Sequence, residues 1–301
     1  MDKITNKDIK FPIHYGRHNI DHSDEEAVLS ALRSDSLTQG VRIEHFEAEV
    51  AQMCGAQFSV SSNSATSSLH LACLALDVGE GDIVWTSAIT FVSSSNCAVF
   101  CGAQVDFVDI DPETNNISVD SLELKLGEAL KVNALPKVVI VVHLAGLPCE
   151  LKKIHELSKK YGFRIIEDAS HALGAVYDGS MIGSCQYSDI TIFSFHPVKI
   201  ITSGEGGMSL TNNVTLFNIM KRLRTHGIVG SDMFVNEPPE NEIWNYQQIE
   251  LGFNYRMTDI HAALGLSQLQ KLKTFVEKRN KIALIYNEAL KNLPLQLPTS
   301  F

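Results

Sequence analysis

Between residues 58 and 211 the chain carries seven short, separated runs rich in valine, isoleucine, threonine and phenylalanine. They are FSVSS (58–62), DIVWTS (82–87), QVDFVDI (104–110), KVVIVVH (137–143), FRIIEDA (163–169), DITIFSF (189–195) and GMSLT (207–211). Between them lie segments with apolar residues at helical spacing, such as ATSSLHLACLAL, SSSNCAVFCG and ELKKIHELSKKYG. In the last of these Leu151, Ile154, Leu157 and Ser158 share one face and Gly162 supplies the stop. Strands and helices in alternation bury their apolar surfaces when the strands pair in parallel and the helices cover both faces of the sheet. The pattern predicts an α/β fold, a three-layer α/β/α arrangement around one mostly parallel, seven-stranded sheet.

Such a sheet needs a long chain and a large apolar fraction, and 301 residues with 45% hydrophobic content supply both. The net charge of −10 sets the surface as a whole against nucleic-acid backbones, so an anionic ligand must meet a local group of donors. The opening MDKITNKDIKF has no apolar core of a signal peptide, and the apolar run 138–147 is interrupted by His143 and Gly146 and too short for a bilayer. A cytoplasmic location and no membrane partner are the expectations. Six cysteines, none in a C-x-x-C pair, argue against structural zinc or a disulfide framework and read as small buried hydrophobes.

After Gly227 comes a long irregular connection, then an amphipathic helix from His261 to Lys273 onward and a final helix over 276–292. The expected division is a large domain over 1–275 and the start of a second, smaller domain over 276–301.

Ligands of parallel sheets bind beyond the carboxyl ends of the strands, and polar residues of three segments fall there: Asn63 to Thr66, Glu167 to His171, and Ser194 to His196. Just beyond the third, SFHPVKIITSGEGG places Lys199 among apolar residues. It is either an ordinary solvated lysine or a partly desolvated amine able to attack a carbonyl. Asp168 ends a buried strand and needs a cation there, whether an arginine or lysine or the protonated nitrogen of a pyridine ring. NSATSS is either a plain helix cap or an anion cradle of backbone N–H groups and hydroxyls. Phe91 is either core or a face on which a flat ring stacks. An amine, a strand-end carboxylate, an anion cradle and an aromatic face together match what pyridoxal 5'-phosphate requires.

The wording of SNSATSSLHLACLAL, WTSAITFVSSSNCAVFCGAQVDFVDID, IIEDASHALGAVYDG, FSFHPVKIITSGEGG, LRTHGI and LGFNYRMTDIHAALGLSQLQ, in this order, closely resembles the nucleotide-sugar aminotransferases of the DegT/DnrJ/EryC1/StrS family. The resemblance implies the fold type I of enzymes dependent on pyridoxal 5'-phosphate, with a small C-terminal domain largely absent from this sequence. It implies Lys199 of HPVK as the lysine that bonds the cofactor aldehyde, Asp168 of IEDASH as the partner of the pyridine nitrogen, and His171 near the ring. It makes Phe91 the stacking aromatic and Ser64, Ala65, Thr66 and Ser194 the phosphate ligands. Asn254 of GFNYRM would reach the phosphate held by a neighbouring subunit, giving a homodimer with shared active sites. Thr38, Gln39 and Gly40 of LTQG, and Arg256, would lie near the sugar pocket. The implied reaction moves an amino group from L-glutamate to a UDP-linked 4-keto-6-deoxy-hexose, without a metal.

Rival readings are another sugar aminotransferase of the family, a dehydratase, and a protein that keeps the cofactor without turnover. Lys199 stands where the dehydratases carry histidine. A dinucleotide-dependent dehydrogenase is set aside, because SGEGG lacks the G-x-G-x-x-G order and follows no first strand.

Overall fold

The computed structural model describes residues 16–229 and 244–299. Part of the irregular connection after Gly227, residues 230–243, lies outside the described residues, as do the two ends of the predicted domains at 1–15 and 300–301.

All seven predicted strands form, within a residue or two of their expected bounds: β1 (Phe58–Ser62), β2 (Ile83–Ser87), β3 (Gln104–Val108), β4 (Val138–Val142), β5 (Arg164–Asp168), β8 (Ile190–Ser194) and β9 (Gly207–Thr211). Two further strands, β6 (Val176–Tyr177) and β7 (Ser180–Met181), make a small separate hairpin. The order across the sheet is β1-β9-β8-β5-β4-β2-β3. Neighbours from β8 through β3 pair in parallel, whereas β9 runs antiparallel to both β8 and β1. A single reversed strand thus leaves the carboxyl ends of the other six on one edge.

Strand side chains alternate between the two faces, and the core divides accordingly. Val139, Val141, Ile165 and Phe193 point into one apolar cluster, and Val138, Ile140, Ile166 and Ile192 into another. The first face is covered by α2 (Val41–Cys54), α5 (Val119–Lys131), α6 (Leu151–Tyr161) and α8 (Asp259–Leu269), through Phe46, Leu122, Ile154 and Ala262. The second is covered by α3 (Ala65–Ala75), α4 (Ser93–Phe100) and α7 (Val214–Leu223), through Leu69, Cys97 and Leu216. These are the three layers the alternation predicts. Helix α6 buries Leu151, Ile154, Leu157 and Ser158 and stops at Gly162, whose φ of 83° is the left-handed cap a glycine takes without strain.

Helix α1 (His22–Leu32) packs on α8. The chain near the end differs from the expected pattern: α8 stops at Leu269, and α9 runs from Leu272 to Leu290 as one helix through residue 276. The break falls at Gln270 and Lys271, where the chain makes a tertiary contact. The Lys271 ammonium is held by Asp21 at 2.8 Å and Asp24 at 2.6 Å, at the start of α1. A 3-10 turn over Leu144–Gly146 and a short ribbon of β10 (Ile228–Val229) and β11 (Gln247–Gln248) complete the described elements. Among the described residues no helix is long and apolar enough to cross a membrane.

Candidate active site

Where β1, β2, β4, β5 and β8 end, the structure opens a cavity of about 1060 Å³. Its lining includes Ser64, Ala65, Thr66, Phe91, Asp168, His171, Ser194 and Lys199. Residues separated by long stretches of sequence therefore share one space, because each follows or ends a strand at the same edge.

The Asp168 side chain is buried, and its oxygens are held by hydroxyls. Ser94 Oγ donates to Oδ2 at 2.7 Å, and Ser170 donates to Oδ1 through its hydroxyl at 2.6 Å and its amide at 3.2 Å. Ser94 is in turn 2.7 Å from Thr90 Oγ1. Among the described residues no lysine, arginine or histidine nitrogen lies within ion-pair distance of Asp168, so the arginine or lysine partner that a purely structural carboxylate would want is not there. A buried carboxylate aimed into a cavity without a salt bridge suits a cationic ligand nitrogen.

Lys199 is half-buried at the cavity wall. Burial lowers its pKa from that of a free lysine, with the charge of Asp168 opposing. Its own carbonyl accepts a hydrogen bond from Arg279 Nη2 at 3.0 Å, which ties α9 to the lysine loop. His171 is also pushed down, first by burial and then by the Lys199 charge, with Asp168 acting the other way. The Ala145 amide donates to His171 Nδ1 at 3.3 Å, leaving the ring proton of the neutral form on Nε2.

At the far side α3 begins with Ser64 as its cap, the Ser64 hydroxyl accepting the Ser67 amide at 3.1 Å. The amides of Ala65 and Thr66 fall in the first turn, where helix geometry provides no intrahelical acceptor. Thr66 Oγ1 lies 2.7 Å from Ser93 Oγ at the start of α4, and the buried Ser194 completes this side. Gly207 lets β9 pass directly beneath the turn: a side chain there would collide with the Ser64 carbonyl and the Ala65 nitrogen. N–H groups and hydroxyls at a helix N-terminus form an anion site, and the donor set matches a phosphate. Phe91 precedes α4 by two residues and is 70% exposed, so it is a cavity residue and not core.

Five of the candidate residues stand elsewhere. Asn254 is exposed and does not line this cavity; its carbonyl accepts from Asn63 Nδ2 at 3.4 Å. Gln39, Gly40 and Arg256 line a separate cavity of about 530 Å³, together with Glu47, Arg222 and Arg224. Thr38 forms a bridge with Thr258. Thr90, Ser93, Ser94, Ala145 and Arg279 went unread in the sequence, and Ser170 was read only as part of the polar segment Glu167 to His171. The serine run after Phe91 was the available signal for Ser93 and Ser94. Among the described residues no cluster of histidine, cysteine and carboxylate side chains is arranged to hold a metal.

Known proteins resemble this chain in sequence and in fold. Residues 18–301 match the profile described as the DegT/DnrJ/EryC1/StrS aminotransferase family. The chain is 41% identical over 276 residues to the UDP-4-amino-4,6-dideoxy-N-acetyl-beta-L-altrosamine transaminase of Campylobacter jejuni subsp. jejuni serotype O:23/36 (strain 81-176), spanning 92% of this chain and 69% of that protein. It superposes on Helicobacter pylori PseC, an aminotransferase involved in the biosynthesis of pseudoaminic acid. The TM-score is 0.82 and the identity 31%, over 93% of this chain and 71% of that one. Spr1654 from Streptococcus pneumoniae in its PLP form gives a TM-score of 0.81 at 28% identity, over 94% and 72% of the two chains.

Proposed function

The chain belongs to the DegT/DnrJ/EryC1/StrS aminotransferase family, and from that premise we propose that it transfers the amino group of L-glutamate to the 4-keto carbon of a UDP-linked 6-deoxy-hexose. Pyridoxal 5'-phosphate would be the cofactor and pseudaminic acid the route. The names of the Campylobacter and Helicobacter relatives support the substrate and the route. The observation that carries the reading is the one cavity bounded by Lys199, Asp168 and the start of α3.

Pyridoxal 5'-phosphate, when bound, supplies an aldehyde to carry the amino group and a conjugated ring that spreads the negative charge of the reacting carbon. The chain's own residues would do the rest. Ser64, Ala65, Thr66 and Ser194 would hold the phosphate, and Phe91 would cover one ring face. Asp168, its two oxygens fixed by Ser94 and Ser170, would keep a proton on the ring nitrogen. Lys199 would bond the aldehyde at rest. Its amine, whose pKa burial lowers, would also take up and hand back the proton that the amino transfer moves. His171, its Nδ1 occupied by the Ala145 amide, would offer the Nε2 proton to the oxygen on the ring. Asn254 would serve the phosphate of a second copy, making the working form a homodimer. Thr38, Gln39, Gly40 and Arg256, which line no part of this cavity within one chain, would meet the sugar only across that dimer.

The test is turnover. Protein loaded with the cofactor and mixed with L-glutamate is expected to convert a UDP-linked 4-keto-6-deoxy-hexose to the 4-amino sugar, identified by NMR, with one 2-oxoglutarate formed per amine. Formation of 2-oxoglutarate with no keto sugar consumed, across a panel of such sugars, would overturn the substrate assignment and favour a cofactor-binding protein without sugar turnover.

A further inference from the structure

The loop between β4 and α6 holds a backbone conformation that its own residues do not favour. Within the 3-10 turn Leu144–Gly146, Ala145 has φ 53° and ψ 16°, in the left-handed region, and Gly146 follows at φ 92°. Glycine takes such angles without strain, and alanine does not. Gly146 is glycine for a further reason: a Cβ there would lie 2.7 Å from the His171 carbonyl oxygen. Nothing in the alanine side chain rewards the conformation of Ala145, so the turn must be held from outside.

Asn116 holds it. The residue is buried, and its carboxamide spans the turn: Oδ1 accepts the Leu144 amide at 3.0 Å, and Nδ2 donates to the Leu147 carbonyl at 2.9 Å. A backbone amide only donates and a carbonyl only accepts, so the two ends of the carboxamide are assigned by their partners. Asn116 is fixed in turn by its own main chain. Its carbonyl accepts the Asp111 amide at 2.9 Å, its amide donates to Thr114 Oγ1 at 3.3 Å, and the next residue, Ile117, forms a bridge with Ile110. At the base of the loop the His143 Nδ1 accepts the Cys149 amide at 3.0 Å. Between these braces the turn presents the Ala145 N–H, 3.3 Å from His171 Nδ1.

We propose that Asn116 is a positioning residue for His171: by bracing the turn it keeps the Ala145 amide on Nδ1, and so holds the neutral ring in the form protonated at Nε2. A neutral imidazole carries one ring proton, and a donor set against one nitrogen sends that proton to the other. With the brace gone, Ala145 relaxes toward negative φ, its amide turns away, and either nitrogen can carry the proton. Asn116 does not line the cavity, so it acts only through the turn. The consequence for turnover rests on the reading of His171 as the donor to the oxygen on the cofactor ring. A ring in the wrong form for part of the time slows the amino-donor step, while cofactor binding, set by the start of α3 and by Asp168, is left alone.

Nitrogen NMR of the full chain labelled at histidine, with and without added pyridoxal 5'-phosphate, tests this at about pH 8, where burial leaves His171 uncharged. His171→Gln identifies the signal among the eleven histidines. In the unsubstituted protein Nδ1 is expected to be of the pyridine type and Nε2 of the pyrrole type. In Asn116→Ala the two shifts should converge as the tautomers mix. Adding Ala145→Gly to Asn116→Ala should draw them apart again, because glycine reaches the left-handed turn without a brace. A residue that merely supported the fold would show no such rescue. The half-reaction with L-glutamate should slow by about tenfold in Asn116→Ala, with cofactor affinity within about twofold. If Asn116→Ala does not fold, hydrogen exchange in the unsubstituted protein decides: the Ala145 amide, on an exposed residue, should exchange at least about tenfold more slowly than an unprotected peptide. Unchanged ring shifts in a folded Asn116→Ala, no rescue by Ala145→Gly, or unprotected exchange at Ala145 would each overturn the proposal. Converged shifts with an unaltered half-reaction would support the part given to Asn116 and overturn the role given to His171.

Discussion

The Ser94 hydroxyl donates to the Asp168 carboxylate at 2.7 Å, both groups buried, with Thr90 behind Ser94 at the same distance. Removing that donor leaves Oδ2 with an unmet acceptor site in an interior where each such loss costs about 1–3 kcal/mol. Ser94→Ala is expected to lower stability by about that much in denaturant unfolding. It should also weaken pyridoxal 5'-phosphate binding by roughly tenfold in a fluorescence titration. Unchanged cofactor affinity would separate Ser94 from the work of Asp168.

Lys199→Ala is expected to retain the cofactor non-covalently, because the α3 cradle and Asp168 remain. Borohydride treatment should then leave no cofactor attached to the polypeptide, as mass spectrometry would show. In the unsubstituted protein burial favours the neutral amine, so covalent capture should rise with pH and reach its half-point below the free-lysine value of 10.5. A borohydride-stable adduct in Lys199→Ala would move the attachment elsewhere.

Asp24 lies buried at the start of α1. Burial works to raise its pKa, but hydrogen bonds from Lys271, the Asp21 amide, Ser267 and Gln268 hold the carboxylate below its ordinary value. A folded pKa below the unfolded value near ~3.9 means that this stability is complete above that value. It drains away as pH falls through the folded pKa. Asp24→Asn, which leaves the Lys271 charge without its buried partner, should cost about 3 kcal/mol near neutral pH. It should also flatten the stability profile below roughly pH 4, measured by urea unfolding across pH.

Gly207→Ala puts a methyl group against the Ser64 carbonyl and the Ala65 nitrogen. Backbone cannot yield as a side chain end does, so a loss of about 1–3 kcal/mol is expected, with weaker binding of inorganic phosphate or the cofactor at the displaced turn. Calorimetry of the variant checks both effects.

The strands were legible because VVIVV, buried on both faces, is continuously apolar and the others are short β-rich runs set between helical patterns, even at the exposed edge strand QVDFV. Four helices, α1, α2, α5 and α7, escaped notice. The two near the end were misplaced because no glycine or proline marks the break at Gln270 and Lys271, where Lys271 pairs with Asp21 and Asp24, some 250 residues earlier in the chain. Strand ends brought Thr66, Asp168 and Lys199 to one edge by topology alone. The segments that hold Ser94 and Ser170 are visible in the sequence but the role of either hydroxyl is not, since only the fold shows that it meets a buried carboxylate. The placement of Gln39, Gly40 and Arg256 in another cavity was equally hidden, since spacing along a chain does not say which wall of a molecule a loop joins.

The reversal of β9 bears on how the lysine loop assembles. Ser194 and Gly207 are direct register partners, the Phe195 amide bonds the Gly206 carbonyl at 2.9 Å, and the Ser203 amide bonds Phe195 at 3.0 Å. Lys199 therefore rides on a hairpin-like loop whose closing contacts join near neighbours in sequence, whereas a parallel β8–β9 pair would have needed a long crossover. Closing so short a loop costs little entropy, and contacts of low sequence separation form fast. The anion cradle at Ser64 and Thr66 reaches the same place only through the pairing of β1 with β9, roughly half the chain away in sequence, so the nucleophile's seat is a local product of folding and the rest of the cavity a global one.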